Sequence, residues 1–324
     1  MGNILNQPVV DKDVTSFTFK GNKGVVVSMQ GWRISMEDQH ICEPELEWLP
    51  DCGFFGVFDG HGGAATSSYI RENLVDSMKQ KMKGQSLSGT PTEAFNESFR
   101  DAIIAFDNEI HEANIAMSGS TAICGFVSPS HFVIANLGDS RCVLSRDGHA
   151  SPLSVDHKPA LESEKKRIYD AGGYVLNNRV NGDLAVSRSF GDFIYKQNKS
   201  LSPIAQPVSC EPDIRVIARD PSDNYLIFAC DGIWDVFRPD ELIPVMNELL
   251  ESYETPEEAC CRLLDVCLER DSKDNMTFML ILLDNAPKPK EEKIRMRKQR
   301  EEEERAAAMK EEEEEEEENP KEES

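Results

Sequence analysis

Two apolar runs, Phe54-Phe55-Gly56-Val57-Phe58 and Tyr225-Leu226-Ile227-Phe228-Ala229-Cys230, each stop at an Asp-Gly pair. Runs that do not alternate polar and apolar residues read as strands buried on both faces. A carboxylate at the end of such a strand lies at the rim of a sheet. The first pair continues as Asp59-Gly60-His61-Gly62-Gly63 and the second as Asp231-Gly232-Ile233-Trp234-Asp235. If the two strands lie side by side, two carboxylates meet over a dry core, where they repel unless a cation sits between them. The competing reading is a hairpin turn, since Gly accepts positive φ and Asp caps its own turn. Asp147-Gly148, following Arg141-Cys142-Val143-Leu144-Ser145-Arg146, is read as such a turn.

Carboxylates beside glycines or strand ends recur along the chain: Glu37-Asp38, Asp59, Asp139, Asp192, Asp231, Asp235 and Asp274. They offer oxygen alone, with no cysteine at metal-ligand spacing, and oxygen donors select Mg²⁺ or Mn²⁺ over zinc or copper. Gly60 lets its backbone carbonyl approach an ion closely. His61 can reach the same cleft and donate a proton near neutral pH. Arg33 has the planar fork that suits a phosphate. Asp192 is read as structural, supporting its loop, and Thr121 as core packing. Neither a GxxxxGK[ST] loop nor a GxGxxG fingerprint is present, so phosphate chemistry here would not run on a nucleotide cradle.

With 324 residues the chain has ample length for one large α/β domain or two small ones, and no run reaches the ~18 apolar residues of a membrane span. A net charge of −24 argues against wrapping nucleic acid. Nine cysteines without CxxC spacing read as reduced, mostly buried thiols of an intracellular protein. On that reading the sequons at Asn96, Asn198 and Asn275 are chance matches. Residues 1–20 look extended and polar. Helices are expected at 64–82, 92–117, 162–171, 240–250 and 256–268. In the second, Phe95, Phe99, Ile103, Phe106 and Ile110 form a core-facing stripe. Strands are expected at 25–29, 121–127, 132–137, 141–144 and 278–283. Helix pairs set among short strands do not alternate strictly, which disfavours a doubly wound sheet. They suit an α+β fold of two packed antiparallel sheets with helices outside.

Seven segments then carry a resemblance. They are Gly31–Asp38, Phe55–Gly63, Gly119–Ala122, Ala135–Arg141, Leu184–Asp192, Cys230–Val236 and Asp274–Thr277. In this order, from about Lys23 to Leu283, they resemble the type 2C metal-dependent protein serine/threonine phosphatases. The resemblance implies a single αββα catalytic domain (residues 23–285) hydrolysing phosphoserine and phosphothreonine in proteins. Two Mn²⁺ or Mg²⁺ ions would be bridged by Asp59. Glu37 and the Gly60 carbonyl would hold one ion, and Asp231 and Asp274 the other. Asp38 would orient a metal-bound water, and Asp139 and Asp235 match a looser third-metal position. A bridging hydroxide would attack phosphorus in line, with Arg33 on the phosphoryl oxygens and His61 protonating the leaving group. Alternatives are a catalytically weak phosphoprotein-binding module and a hydrolase of small phosphate esters.

The ends lie outside that pattern. Gly2 offers a myristoylation acceptor, with Asn6 where Ser or Thr is usual, and one acyl chain gives only weak membrane association. The expected partners are phosphorylated proteins, for a monomer of the cytoplasm or nucleus. Residues 1–22 are read as an N-terminal extension and 286–324 as a charged, disordered tail. In that tail seven basic residues between Lys288 and Arg300 precede fourteen Glu beyond residue 300. The basic run is also a candidate nuclear import signal.

Overall fold

The computed structural model describes residues 4–115 and 117–318, so the lipidation candidate Gly2 lies outside the described residues. A six-stranded sheet runs β1 (Ile4–Phe19), β2 (Asn22–Arg33), β16 (Met276–Leu282), β15 (Asp223–Ala229), β9 (Arg141–Arg146), β10 (His149–Pro152). A five-stranded sheet runs β14 (Asp213–Ala218), β8 (His131–Leu137), β7 (Ala122–Val127), β4 (Gly53–Phe58), β3 (Gln39–Glu43). Neighbouring strands in both are antiparallel. Three short strands, β13 (Phe190–Gly191), β6 (Gly119–Ser120) and β5 (Gly60–His61), continue beyond the second sheet, and β11 (Val175–Leu176) pairs β12 (Arg179–Val180).

Both sheets are covered on both faces, which is why their strands read as continuous apolar runs. Successive side chains of β4 split between two layers. Phe54 and Phe58 pack under α1 (Ala65–Lys81) and α2 (Glu93–Glu112), while Phe55 and Val57 face the other sheet. There they meet Leu226 and Phe228 of β15 and Met279 and Ile281 of β16. The opposite face of β15, Tyr225 and Ile227, lies under α5 (Pro239–Ser252) and α6 (Pro256–Glu269). The result is the expected αββα sandwich, with α3 (Glu162–Asp170) and α4 (Asp231–Trp234) outside that scheme. The α2 stripe is buried as expected, and the Thr92 hydroxyl caps the helix by accepting from the Phe95 amide at 3.1 Å. The helix stops at Glu112, short of the expected 117, where Asn114 turns left-handed at φ 55°.

Two sequence expectations need correction. The two Asp-Gly strands are not neighbours: β4 and β15 belong to different sheets, so their ends meet across the sandwich. Residues 286–324 do not form a disordered tail throughout the described part, because α7 (Glu291–Glu318) is helical. Its basic first turns find acidic partners on and just after α5. Lys293 bridges Glu248 and Glu251, Arg297 and Lys298 reach Glu254, and the Arg297 guanidinium lies 4.0 Å over the Tyr253 ring. The Lys290 amide donates to the Glu251 carbonyl at 2.8 Å. Residues 4–19 are extended as expected, yet paired along β2, with Lys12 held to Asp265 of α6 at 2.6 Å.

Candidate metal centre

Glycine decides between the turn and the site at each Asp-Gly pair. At Asp147-Gly148 both residues have positive φ, 52° and 74°, in the β9–β10 hairpin. Neither Gly60 nor Gly232 does; each is needed for close approach. A Cβ on Gly60 would strike the Glu37 carbonyl, and one on Gly232 would strike the Asn275 carbonyl. The two pairs therefore press Asp59 against the Glu37 segment and Asp231 against the Asp274 segment.

The carboxylates so gathered line one cleft of about 410 Å³, shared by Glu37, Asp59, Asp139, Asp231, Asp235 and Asp274. Arg33, Gly60 and His61 lie on its wall. Burial, then the charges of Asp231, Asp38 and Asp274, hold the Asp59 carboxyl well above the usual carboxylate range. Asp231 is raised by burial and by Asp139, Asp274 and Asp235. Asp235 is raised by burial against the opposing pull of Lys158. Asp38 lies behind this wall, pushed by burial to about 6. Its Oδ2 accepts from the Thr277 hydroxyl at 2.7 Å, while its Oδ1 is buried without a partner.

That orphaned oxygen, with several all-oxygen donors forced together at a cost in solvation, is the signature of a site built for a hard divalent cation. The donor set fits Mg²⁺ or Mn²⁺. Two basic groups currently neutralise part of it: Arg33 holds Asp274 Oδ2 at 2.5 Å and Lys158 holds Asp139. Among the described residues no three Asp, Glu, His or Cys side chains lie at the spacing of an ion shell.

Glu37 is oriented at both oxygens, by the Ser35 hydroxyl at 2.8 Å and the Gly63 amide at 3.1 Å. Its own amide donates to Asn275 Oδ1 at 2.9 Å, and the Asn275 amide nitrogen in turn donates to the Gln30 and Ser35 carbonyls. His61 Nε2 lies 2.7 Å from Asp192 Oδ2. Burial works to lower the imidazole, but the Asp192 hydrogen bond and charge, with Asp139 and Glu37, outweigh it and raise it above 6.5. Sequence reasoning missed this role for Asp192, the buried Thr277 and Asn275 contacts, and Lys158. It also gave Thr121 only packing, whereas its hydroxyl bonds the Ser140 hydroxyl at 2.7 Å and accepts from the Asp59 amide at 3.3 Å. Asn275 and Thr277 lie in the Asp274–Thr277 segment, but nothing in their chemistry named their partners.

The protein phosphatase 2C family model matches residues 22–276. The chain belongs to the protein phosphatase 2C family. It is 37% identical over 307 residues to protein phosphatase 1B of Rattus norvegicus, across 91% of this chain and 79% of that one. Protein phosphatase ppm-1.A of Caenorhabditis elegans is 39% identical over 303 residues, across 89% of this chain and 64% of that one. A solved phosphatase from a pathogenic strain of Toxoplasma gondii superposes with TM-score 0.74 at 27% identity, covering 85% of this chain and 96% of its own. Membership in the protein phosphatase 2C family makes this chain a metal-dependent protein serine/threonine phosphatase, a hydrolase, and its αββα architecture is the family's.

Proposed function

We propose that the chain hydrolyses phosphoserine and phosphothreonine monoesters in proteins, with Mn²⁺ or Mg²⁺ held by Glu37, Asp59, the Gly60 carbonyl, Asp231 and Asp274. The observation that supports this most is the convergence of these residues, from both sheets, on one cleft with Arg33 and His61 at its wall. When bound, the ions supply Lewis acidity and make a nucleophile of water at neutral pH. Arg33 is partly exposed and spends one nitrogen on Asp274, leaving donors for phosphoryl oxygens. Asp38 Oδ1, fixed by the Thr277 bond to its sister oxygen, is the acceptor that would take a hydrogen bond from the attacking water and aim it. His61 has Nε2 committed to Asp192, so Nδ1 is the nitrogen that delivers a proton to the leaving alkoxide. Asp139 and Asp235 face the same cleft, but Lys158 already neutralises Asp139, so a third ion there must displace an ammonium.

The test is phosphate release from a phosphothreonine peptide in Mn²⁺, in EDTA, and after Asp59→Ala or Asp231→Ala. Loss of at least about 100-fold is expected in each case. Activity surviving chelation or either substitution refutes the reading. Peptide capture without turnover would favour the binding module, and turnover of aryl phosphate alone the small-ester hydrolase.

A further inference from the structure

A second groove, of about 270 Å³, opens on the other side of Asp192. Ile115 and Met117 beyond α2, and Phe193 and Ile194 beyond β13, form its walls, with His111 and Gln197 at the rim. The proposed catalytic machinery does not use it, yet only one layer of backbone separates the two. β5 pairs His61 with Gly119, and the Asp192 amide donates to the Ser118 carbonyl at 3.1 Å. Asp192 therefore lines the groove while its carboxylate holds His61.

Three observations set this groove apart from ordinary surface. Met117 is 80% exposed and Ile194 54% exposed, and two large apolar side chains flanking one depression mark a contact site more than scattered surface residues do. Asn114, Met117 and Asp192 all have left-handed backbones, at φ 55°, 69° and 53°. For a bulky residue such as Met that conformation is strained and persists where the surroundings impose it, a pattern that gathers at functional sites. Finally, the Phe193 side of the wall is held in place. The His111 ring sits edge-on to Phe193 at 4.7 Å, and Lys196, paired to buried Asp107 at 2.8 Å, lies 5.4 Å over the same ring.

Size narrows the occupant. The volume falls just below the ~300 Å³ at which small-molecule and cofactor pockets begin, and suits a single side chain. Resting on the phosphatase reading, we propose that the groove is a specificity site that takes a large apolar side chain of the substrate polypeptide. An extended chain advances about 3.3 Å per residue, so with only Asp192 between groove and His61 that side chain belongs within about three residues of the phosphothreonine. Adjacency to the cleft, across the Asp192–His61 contact and the close approach of Gly62 to the Met117 carbonyl, selects the substrate over an unrelated partner.

The test is a set of phosphothreonine peptides in which Leu replaces Ala at each of the three positions on either side, assayed in Mn²⁺. 4-Nitrophenyl phosphate, too short to reach the groove, serves alongside. Leu at one position is expected to raise kcat/KM about tenfold over Ala, mainly through KM. Ile194→Ser and Met117→Ser, both at exposed side chains, are expected to erase that preference and leave aryl phosphate turnover within about twofold of the wild type. Equal rates for all peptides, or a preference that survives both substitutions, overturns the proposal. An enzyme inert toward peptide and aryl phosphate alike overturns the phosphatase reading itself, a result distinct from a missing preference.

Discussion

At the scale of single residues, the centre depends on pairs that no spacing in the chain announces. His61 and Asp192 are 131 positions apart and Asp38 and Thr277 are 239 apart. Each partner supplies something the other lacks, a charge that favours the imidazolium over the neutral ring or a hydroxyl to fix one carboxylate oxygen. His61→Ala is expected to cost about 100-fold on a phosphothreonine peptide and much less on 4-nitrophenyl phosphate, whose leaving group needs no proton. Asp192→Asn keeps a polar contact but removes the charge, and the expected loss on the peptide is smaller, with aryl phosphate again spared. Steady-state rates on the two substrates check both; equal losses would remove His61 from the proton-donor role. Which carboxylates gather at the cleft was legible in the sequence, because most sit beside a glycine or near a strand end. How they are oriented was not, because Thr277, Asn275 and Asp192 show their purpose only when distant segments touch.

At the scale of elements, α3 braces the loop that carries Asp192. Buried Glu164 accepts from Arg188 at 2.7 Å, Arg167 at 2.6 Å and the Ser187 hydroxyl at 2.7 Å. Burial alone would raise this carboxyl, but Arg188 and Arg167 outweigh it and leave it at about 2, below its ordinary 4.5. A depressed folded pKa adds stability above about pH 4.5 that is lost as pH falls toward 2. Glu164→Gln is expected to cost about 3 kcal/mol at pH 7, with the difference shrinking below pH 4, as read by urea unfolding at each pH. The docking of α7 is of another kind. Its ion pairs are largely exposed and screened by salt, so truncation after Asn285 is expected to lower Tm by only about 2–5 °C, and by less in 0.5 M NaCl, as read by calorimetry. A run of lysines and arginines looks solvated until the acidic row on α5 is known. In the same way β1, exposed on most of its side chains, gave no sequence sign of its partner strand.

At the scale of the whole molecule, the sandwich and its helix pairs were legible because strands buried on both faces leave unbroken apolar runs and α2 keeps a clean stripe. Which strands become neighbours was not, since apolar runs are interchangeable until chain connectivity sorts them into sheets. The same architecture concentrates repulsion at one rim, so folding without ions works against the cleft. Asp231→Asn is therefore expected to raise Tm in EDTA while reducing the further rise that Mn²⁺ gives the wild type, both measured by differential scanning fluorimetry. Unchanged melting in EDTA would mean that the carboxylates do not strain the fold. Because Asp59 hangs from one sheet and Asp231 from the other, their separation is a caliper across the interface of Phe55, Val57, Phe228 and Met279. A substitution there that lets the layers slip sideways by a fraction of an ångström should register as slower turnover while the protein still melts as one cooperative unit.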